Sequence, residues 1–166
     1  DFLFVNKMAY GYSKHSCPWS LCPFSGRILP KEPKRGDVVV FKHPTTGADY
    51  IKRLVGLPGE KIQMREGDLY IDGTKVPVAR DGVFEEINEI QGPMQSSRPA
   101  CSEPTADGSV CTKEKYKSHL PNGVIHSVLN VSSGQSLDDT GVFSILSGHY
   151  FFIGDNRDNS SDSRVR

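Results

Sequence analysis

Asp49-Tyr50-Ile51-Lys52-Arg53-Leu54-Val55-Gly56-Leu57-Pro58-Gly59 reads as a short strand running into a turn of glycine and proline. At a period of two, Ile51, Arg53 and Val55 fall on one face and Tyr50, Lys52 and Leu54 on the other. Lys52 therefore points the same way as two large apolar neighbours. An ammonium on such a face either snorkels to water or is desolvated. A desolvated lysine gives up its proton more readily and can serve as a general base. A strand lysine with a wet tip is the commoner case, so the rest of the chain must decide.

Upstream, Arg35-Gly36-Asp37 feeds the apolar run Val38-Val39-Val40-Phe41, and 38–42 pairs naturally with 48–55 as a hairpin. The tripeptide abuts a buried strand and is read as a hairpin corner, not as an adhesion signal. Downstream, 60–64, 68–72 and 74–78 read as three further strands, with turns at Gly67-Asp68 and Asp72-Gly73. Residues 1–8 alternate like a strand. Residues 9–35 hold Tyr10, Tyr12, Trp19, Phe24 and four prolines without a clean period. So apolar an excursion packs on the domain or faces a membrane or partner.

Near residue 79 the chain turns polar, with weak strand character only over 83–90 and 124–131. Strands resume over 141–146 and 149–153. The latter runs straight into Gly154-Asp155-Asn156-Arg157-Asp158-Asn159-Ser160-Ser161-Asp162-Ser163-Arg164, eleven residues without an aliphatic side chain. Behind a buried aromatic strand, such a run should fold into Asx-type turns whose carboxylates and guanidiniums pair. The expected fold is all-β, mainly antiparallel: a core of 1–80 plus 140–166 carrying a smaller inserted lobe, 81–139.

A chain of 166 residues suffices for one domain with a sizeable core. The 20 basic and 20 acidic residues balance, which argues against a nucleic-acid partner. The 16 glycines and 11 prolines suit a strand-and-turn protein. No apolar run approaches the roughly 18 residues that span a bilayer. The chain starts at Asp1 without a methionine and stops at Arg166 without a terminating pattern, so it is expected to be a piece of a longer protein. Cysteines at 17, 22, 101 and 111 lack Cys-x-x-Cys spacing, and neither metal nor cofactor is expected. A Cys101–Cys111 disulfide would restrain a loop, Cys17–Cys22 is a second candidate, and free thiols are the alternative to both. No role is assigned to His15, His43, His119, His126 or His149.

A lysine on an apolar face and a loop rich in hydroxyls and carboxylates suggest hydrolysis by a serine nucleophile with a lysine base. Lowering a lysine from about 10.4 to about 7–8 is worth roughly 3–5 kcal/mol at 1.36 per unit. Burial away from carboxylates supplies it, and a hydroxyl such as Ser160 could orient the amine without recharging it. Arg53, on the other face, suits an ion pair with an aspartate of the 155–162 loop.

Residues 34–41, 50–59 and 154–164, as Lys-Arg-Gly-Asp-Val-Val-Val-Phe, Tyr-Ile-Lys-Arg-Leu-Val-Gly-Leu-Pro-Gly and Gly-Asp-Asn-Arg-Asp-Asn-Ser-Ser-Asp-Ser-Arg, resemble three successive sequence boxes of bacterial type I signal peptidases. Order and spacing fit, over about 1–80 and 140–166. Asp1-Phe2-Leu3-Phe4-Val5-Asn6-Lys7 is similar to the strand just after that family's nucleophile box. The resemblance implies Lys52 as general base and Ser160 as hydrogen-bond partner of its amine. It further implies that Asp162 and Arg164 buttress the site and that Asp155 pairs with Arg53. Leu3, Val40 and Ile51 would line shallow pockets for small residues, and Asp49, Tyr50 and Ile51 would offer an edge where an extended substrate adds as a strand. The implied substrate is the small-x-small end of a secretory signal peptide, and the implied place is the bacterial inner membrane, catalytic side to the periplasm.

One departure matters. The family's nucleophile sits in a Ser-x-Ser-Met-type box, with a second serine serving the oxyanion hole, and no such box occurs in these 166 residues. The family's membrane anchor is absent too. The chain alone is therefore expected to be inactive. Other readings stand beside this one. A LexA-like self-cleaving domain would want a DNA-binding module and a cleavage site in cis. A conjugal-transfer peptidase would share Lys52 but fit the 154–164 loop less well. A non-enzymatic β module could capture peptides at its sheet edge. A Ser-His-Asp triad lacks its Gly-x-Ser-x-Gly elbow.

Overall fold

The structure, a computed structural model, describes residues 4–13, 26–43, 47–91 and 98–165. Among the described residues every regular element is a strand except a 3-10 turn at Arg157–Asn159. The stretch that carries Lys52 lies in a three-stranded sheet. Its edge strand is β3 (Val38–Lys42), its centre β4 (Asp49–Gly56), and its far strand β12 (Phe151–Ile153), in the order β12-β4-β3. A four-stranded sheet combines β5 (Lys61–Arg65), β6 (Asp68–Ile71), β7 (Thr74–Lys75) and β11 (Phe143–Ser144) in the order β11-β5-β6-β7. A third sheet comprises β8 (Val78–Ile87), β9 (Val110–His119) and β10 (Ile125–Asn130), with β9 central. Two short strands, β1 (Tyr12–Ser13) and β2 (Arg27–Ile28), pair with each other. All these pairings are antiparallel.

The core forms where the first two sheets face one another: Val55, Ile62, Met64, Leu69, Ile71, Ile145, Phe151 and Ile153 are all buried there. Leu120, beyond the end of β9, joins them, so the turn between β9 and β10 belongs to this core although its strands stand outside it. Arg35 is buried as well. It bonds the Val55 carbonyl and the Glu60 carboxylate, which fits a corner and leaves no exposed adhesion motif.

Three local expectations differ from what forms. Among residues 4–10 there is no strand: the Asn6 side chain accepts from Met8 N at 3.0 Å and curls the chain into a turn, an Asx contact outcompeting mere alternation. The first hairpin turn is Glu66-Gly67 (φ 50° and 79°), one residue earlier than read, because Asp68 is already paired with Arg65. It matches Asp72-Gly73 (φ 49° and 78°), and two consecutive positive φ values are what a tight hairpin of this hand requires. The strand expected over 74–78 stops at Lys75, since Val76 turns in to be buried and the chain restarts as β8. Trp19 and Phe24 lie outside the described residues. Tyr10, from the same excursion, is anchored by its hydroxyl donating to Asp37 at 2.9 Å, with burial and Asp37 raising its pKa to about 12.

Cys101 and Cys111 are joined in a disulfide, with Cα atoms 5.2 Å apart. Cys17 and Cys22 lie outside the described residues. Among the described residues no helix is long and apolar enough to cross a membrane and no side-chain cluster could hold a metal.

Candidate active site

Register decides what surrounds Lys52. Tyr50 pairs with Phe41 and Lys52 with Val39 across to β3; on the other side Ile153 pairs with Arg53 and Phe152 with Leu54. Between Phe151 and Phe152 the pairing slips, leaving Val55 as the extra residue of a bulge. Without that slip, Phe152 would sit opposite Val55 and project from the wrong face. With it, Phe152 joins Phe41, Tyr50, Leu54 and Lys52 on one side of the sheet. The rings of Phe41 and Phe152 then meet, centroids 5.0 Å apart, although their strands flank β4 on opposite sides. One ring comes from the level of Tyr50 and the other from the level of Leu54, so the pair spans β4 at the level of Lys52. Tyr50 lies beside Phe41 at 6.2 Å and beside His43 at 4.8 Å.

Lys52 is half-buried beneath this roof, and burial holds its pKa below the usual lysine value; Arg164 acts in the same direction, while Asp162 and Asp155 oppose. Its Nζ lies 5.5 Å from the Tyr50 ring centre, a contact that favours the ammonium only weakly. Asp162 is the strongest influence opposing burial at Lys52, and burial still prevails; its own carboxylate is engaged elsewhere. It accepts Arg164 Nε and Nη2 (both 2.9 Å), Gly154 N (3.0 Å) and Arg164 N (3.1 Å), and the side chains of this pair are 0% and 1% exposed. Burial alone would raise the Asp162 carboxyl; Arg164 and the two backbone N–H groups outweigh it and hold the pKa below normal.

The 154–164 loop folds back along the free side of β12: Ser163 N donates to Phe152 O at 3.1 Å, and Phe152 N donates to Ser163 Oγ at 3.0 Å. Gly154 follows Ile153, the last residue of β12 that pairs with β4, and its N–H turns to Asp162 instead. A Cβ at Gly154 would overlap Ser160 Oγ and Cβ, so the missing side chain is the space that Ser160 fills. The Ser160 hydroxyl is thereby seated against the residue that follows β12, the strand flanking β4. The hydrogen bond expected between it and the Lys52 amine is not made in this structure: Ser160 Oγ is buried without a partner, and the amine leans on Tyr50.

Arg53, projecting from the other face, makes the paired contact with Asp155 (Nε–Oδ1 2.8 Å, Nη2–Oδ2 2.7 Å) and donates Nη1 to Gly36 O at 2.7 Å. Val40 and Ile51 are cross-strand partners on that face, Ile51 being 48% exposed. Leu3 lies outside the described residues. Asp49 is engaged with Lys42 at 3.0 Å near the surface. Along Asp49–Lys52, β3 occupies one edge of β4; on the other, β12 reaches only to Arg53, and no described strand pairs beyond it.

Two residues without an assigned role prove central to the loop. His126 packs under it, Nε2 3.9 Å from Asp155 Oδ1, and burial and Arg53 lower its pKa to about 4. Asp158 Oδ2 accepts Val131 N (2.7 Å) and Ser132 N (3.0 Å), tying the loop to the end of β10. Neither has a sequence signal, since both depend on where the third sheet docks.

The family model for signal peptidase, peptidase S26, matches residues 1–166. "Signal peptidase I" of Rickettsia typhi (strain ATCC VR-144 / Wilmington) is 38% identical over 174 residues, covering 99% of this chain and 58% of the relative. That of Rickettsia canadensis (strain McKiel) gives the same 38% identity and coverage, and that of Rickettsia akari (strain Hartford) is 36% identical. The chain thus spans 58% of the length of these relatives. The crystal structure of a signal peptidase I from Enterococcus faecalis V583 aligns with a TM-score of 0.39 and 24% identity, covering 81% of this chain and 86% of that one.

Proposed function

The chain belongs to the signal peptidase family, peptidase S26, and from that premise we propose that it carries the base-bearing part of a serine endopeptidase that removes signal peptides from exported preproteins. The observation that carries this reading is the half-buried lysine under the Phe41–Phe152 roof, its pKa lowered by burial. In the proposed reaction Lys52 Nζ, neutral, takes the proton of a serine hydroxyl as that oxygen attacks the scissile carbonyl. It then returns the proton to the leaving amine. Ser160 orients the amine once the substrate displaces water from the face. Asp162–Arg164 fixes the loop that presents Ser160, and Arg53–Asp155 fixes the loop's start. The attacking serine is that of the family's Ser-x-Ser-Met-type box, which is not among the 166 residues, and the chain by itself is expected not to cleave.

The edge of β4 at Asp49–Ile51, along which no described strand pairs opposite β3, supports strand addition by an extended substrate. Alternate substrate side chains would then meet the Lys52 face and the Val40–Ile51 face, where Leu3 would complete a shallow pocket suited to small residues. The Cys101–Cys111 disulfide favours an oxidising compartment, consistent with an active site on the periplasmic face of the inner membrane.

The test is cleavage of a preprotein by the full-length protein that joins this chain to the family's serine box. We expect cleavage after a small-x-small motif, and its loss in Lys52→Ala. Full activity in that variant would remove Lys52 from the mechanism. Binding without cleavage by the unaltered protein would favour the reading as a non-enzymatic peptide module.

A further inference from the structure

Between the third sheet and the loop that bears Ser160 lies a hollow of about 290 Å³. Its walls are Glu86 from β8, Lys113 from β9, Leu129 from β10, Arg98 from the loop ahead of the disulfide, and Asn156 and Asn159 from the loop that bears Ser160. A second hollow of about 360 Å³ shares Arg98 and continues over Cys101 and Thr105, so the two form one trough.

The trough is built from restrained groups. Lys113 is only 4% exposed and pairs with Glu86. Arg98 is gripped by both oxygens of Asp107, while Asn88, with its amide on the carbonyls of Thr105 and Ala106 (2.6 and 3.2 Å), holds the loop behind it. The disulfide pins the same loop to β9. Among these walls Asn156 Oδ1 is buried with no hydrogen-bond partner. The backbone of Asn156 is itself held, bridging in parallel to Leu129.

The chemistry of the walls narrows the occupant. Each cation has its carboxylate, so there is no surplus charge to draw a free anion or a metal ion. Phe84, Pro99 and Leu129 stand among the polar groups, a mixture that suits neither a bare lipid chain nor a wholly polar ligand. What remains is a ligand that donates and accepts along its length without net charge, which describes the backbone of an extended polypeptide. Asn159 is the immediate chain neighbour of Ser160, so one wall of the trough belongs to the loop of the candidate site.

We propose that this trough is a second substrate subsite, which holds a stretch of the preprotein remote from the scissile bond by hydrogen bonds to its backbone. The proposal rests on the signal-peptidase reading, and its test is arranged so that the two can fail separately. Full-length protein carrying Lys52→Ala, which should not cut, is titrated with fluorescent signal-peptide substrates by anisotropy. One substrate is long on both sides of the cut, one is shortened before it and one after it. Shortening on one side should weaken binding roughly fivefold or more, and shortening on the other should change it little.

In the double variant Lys113→Met, Glu86→Gln, which leaves neither charge buried alone, the long and shortened peptides should bind alike. Arg98→Ala, at the surface, should narrow the difference in the same sense and serves if the double variant does not fold. Equal binding of all three peptides by the parent protein, or a length dependence untouched in Arg98→Ala and in the folded double variant, would overturn the subsite. Cleavage by the unaltered protein, assayed separately, reports on the enzymatic reading alone.

Discussion

An amine accepts a proton near neutral pH only if its charged form is held poorly, and at Lys52 the poor host is a pair of rings. Phe41 and Phe152 come from strands on either side of β4 and touch above it. Removing one of them should let water reach the stem. Phe41→Ala in the full-length protein should move the acid limb of the pH–rate profile to higher pH. The sign follows from the neutral lysine being the active form: with less burial its pKa rises toward the usual value, and more hydroxide is needed to deprotonate it. An unshifted limb with lowered amplitude would mean that Phe41 serves stability alone. The apolar company of Lys52 is visible in the alternation of residues 50–54. The roof is not, because it depends on a one-residue bulge at Val55 that no local pattern announces.

At the scale of elements, the loop from Gly154 to Arg164 is held from two directions. Its own Asp162–Arg164 pair ties it to β12, and β10 ties it through Leu129 N to Asp155 O (2.8 Å) and through the two N–H groups on Asp158. His126 sits at this junction as a neutral ring. Its pKa of about 4 lies below the ordinary 6.5, so between those values the unfolded chain binds a proton that the folded chain refuses. Stability should therefore fall as pH drops from about 6.5 to about 4. His126→Gln should lose less over that interval, read from urea midpoints at each pH; identical slopes would place the acid sensitivity elsewhere.

The pairing of carboxylates with guanidiniums in this loop was legible from its composition, as was an ion pair of Arg53 with one of its aspartates; that Asp155 is the partner was implied by the family resemblance. The role of β10 was not. β9, its partner, carries four charged residues in ten and reads as a polar loop until both neighbours supply its hydrogen bonds.

Across the whole molecule, the hairpins of residues 38–75 follow from alternation and Asp-Gly chemistry, whereas the third sheet owes its order to long-range pairing and to one covalent link. Cys101 and Cys111 close a loop of ten residues' separation beside the long strand β9. Opening it should destabilise the fold by about 2–4 kcal/mol, the usual range for such bridges. Thermal unfolding with and without reductant measures this. An unchanged midpoint would show that hydrogen bonds such as those of Asn88 hold the loop unaided. The reaction itself should tolerate reduction better than the fold does, since Lys52 lies in another sheet.

The most direct measurement is the titration of the Lys52 amine itself, followed by NMR in protein labelled at the lysine side chains and assigned with Lys52→Met. This amine should lose its proton at a pH distinctly below 10.5, the ordinary lysine value, and Phe41→Ala should move it back toward that value. An amine at 52 that titrates at the ordinary value, indifferent to the ring above it, would remove Lys52 as the base.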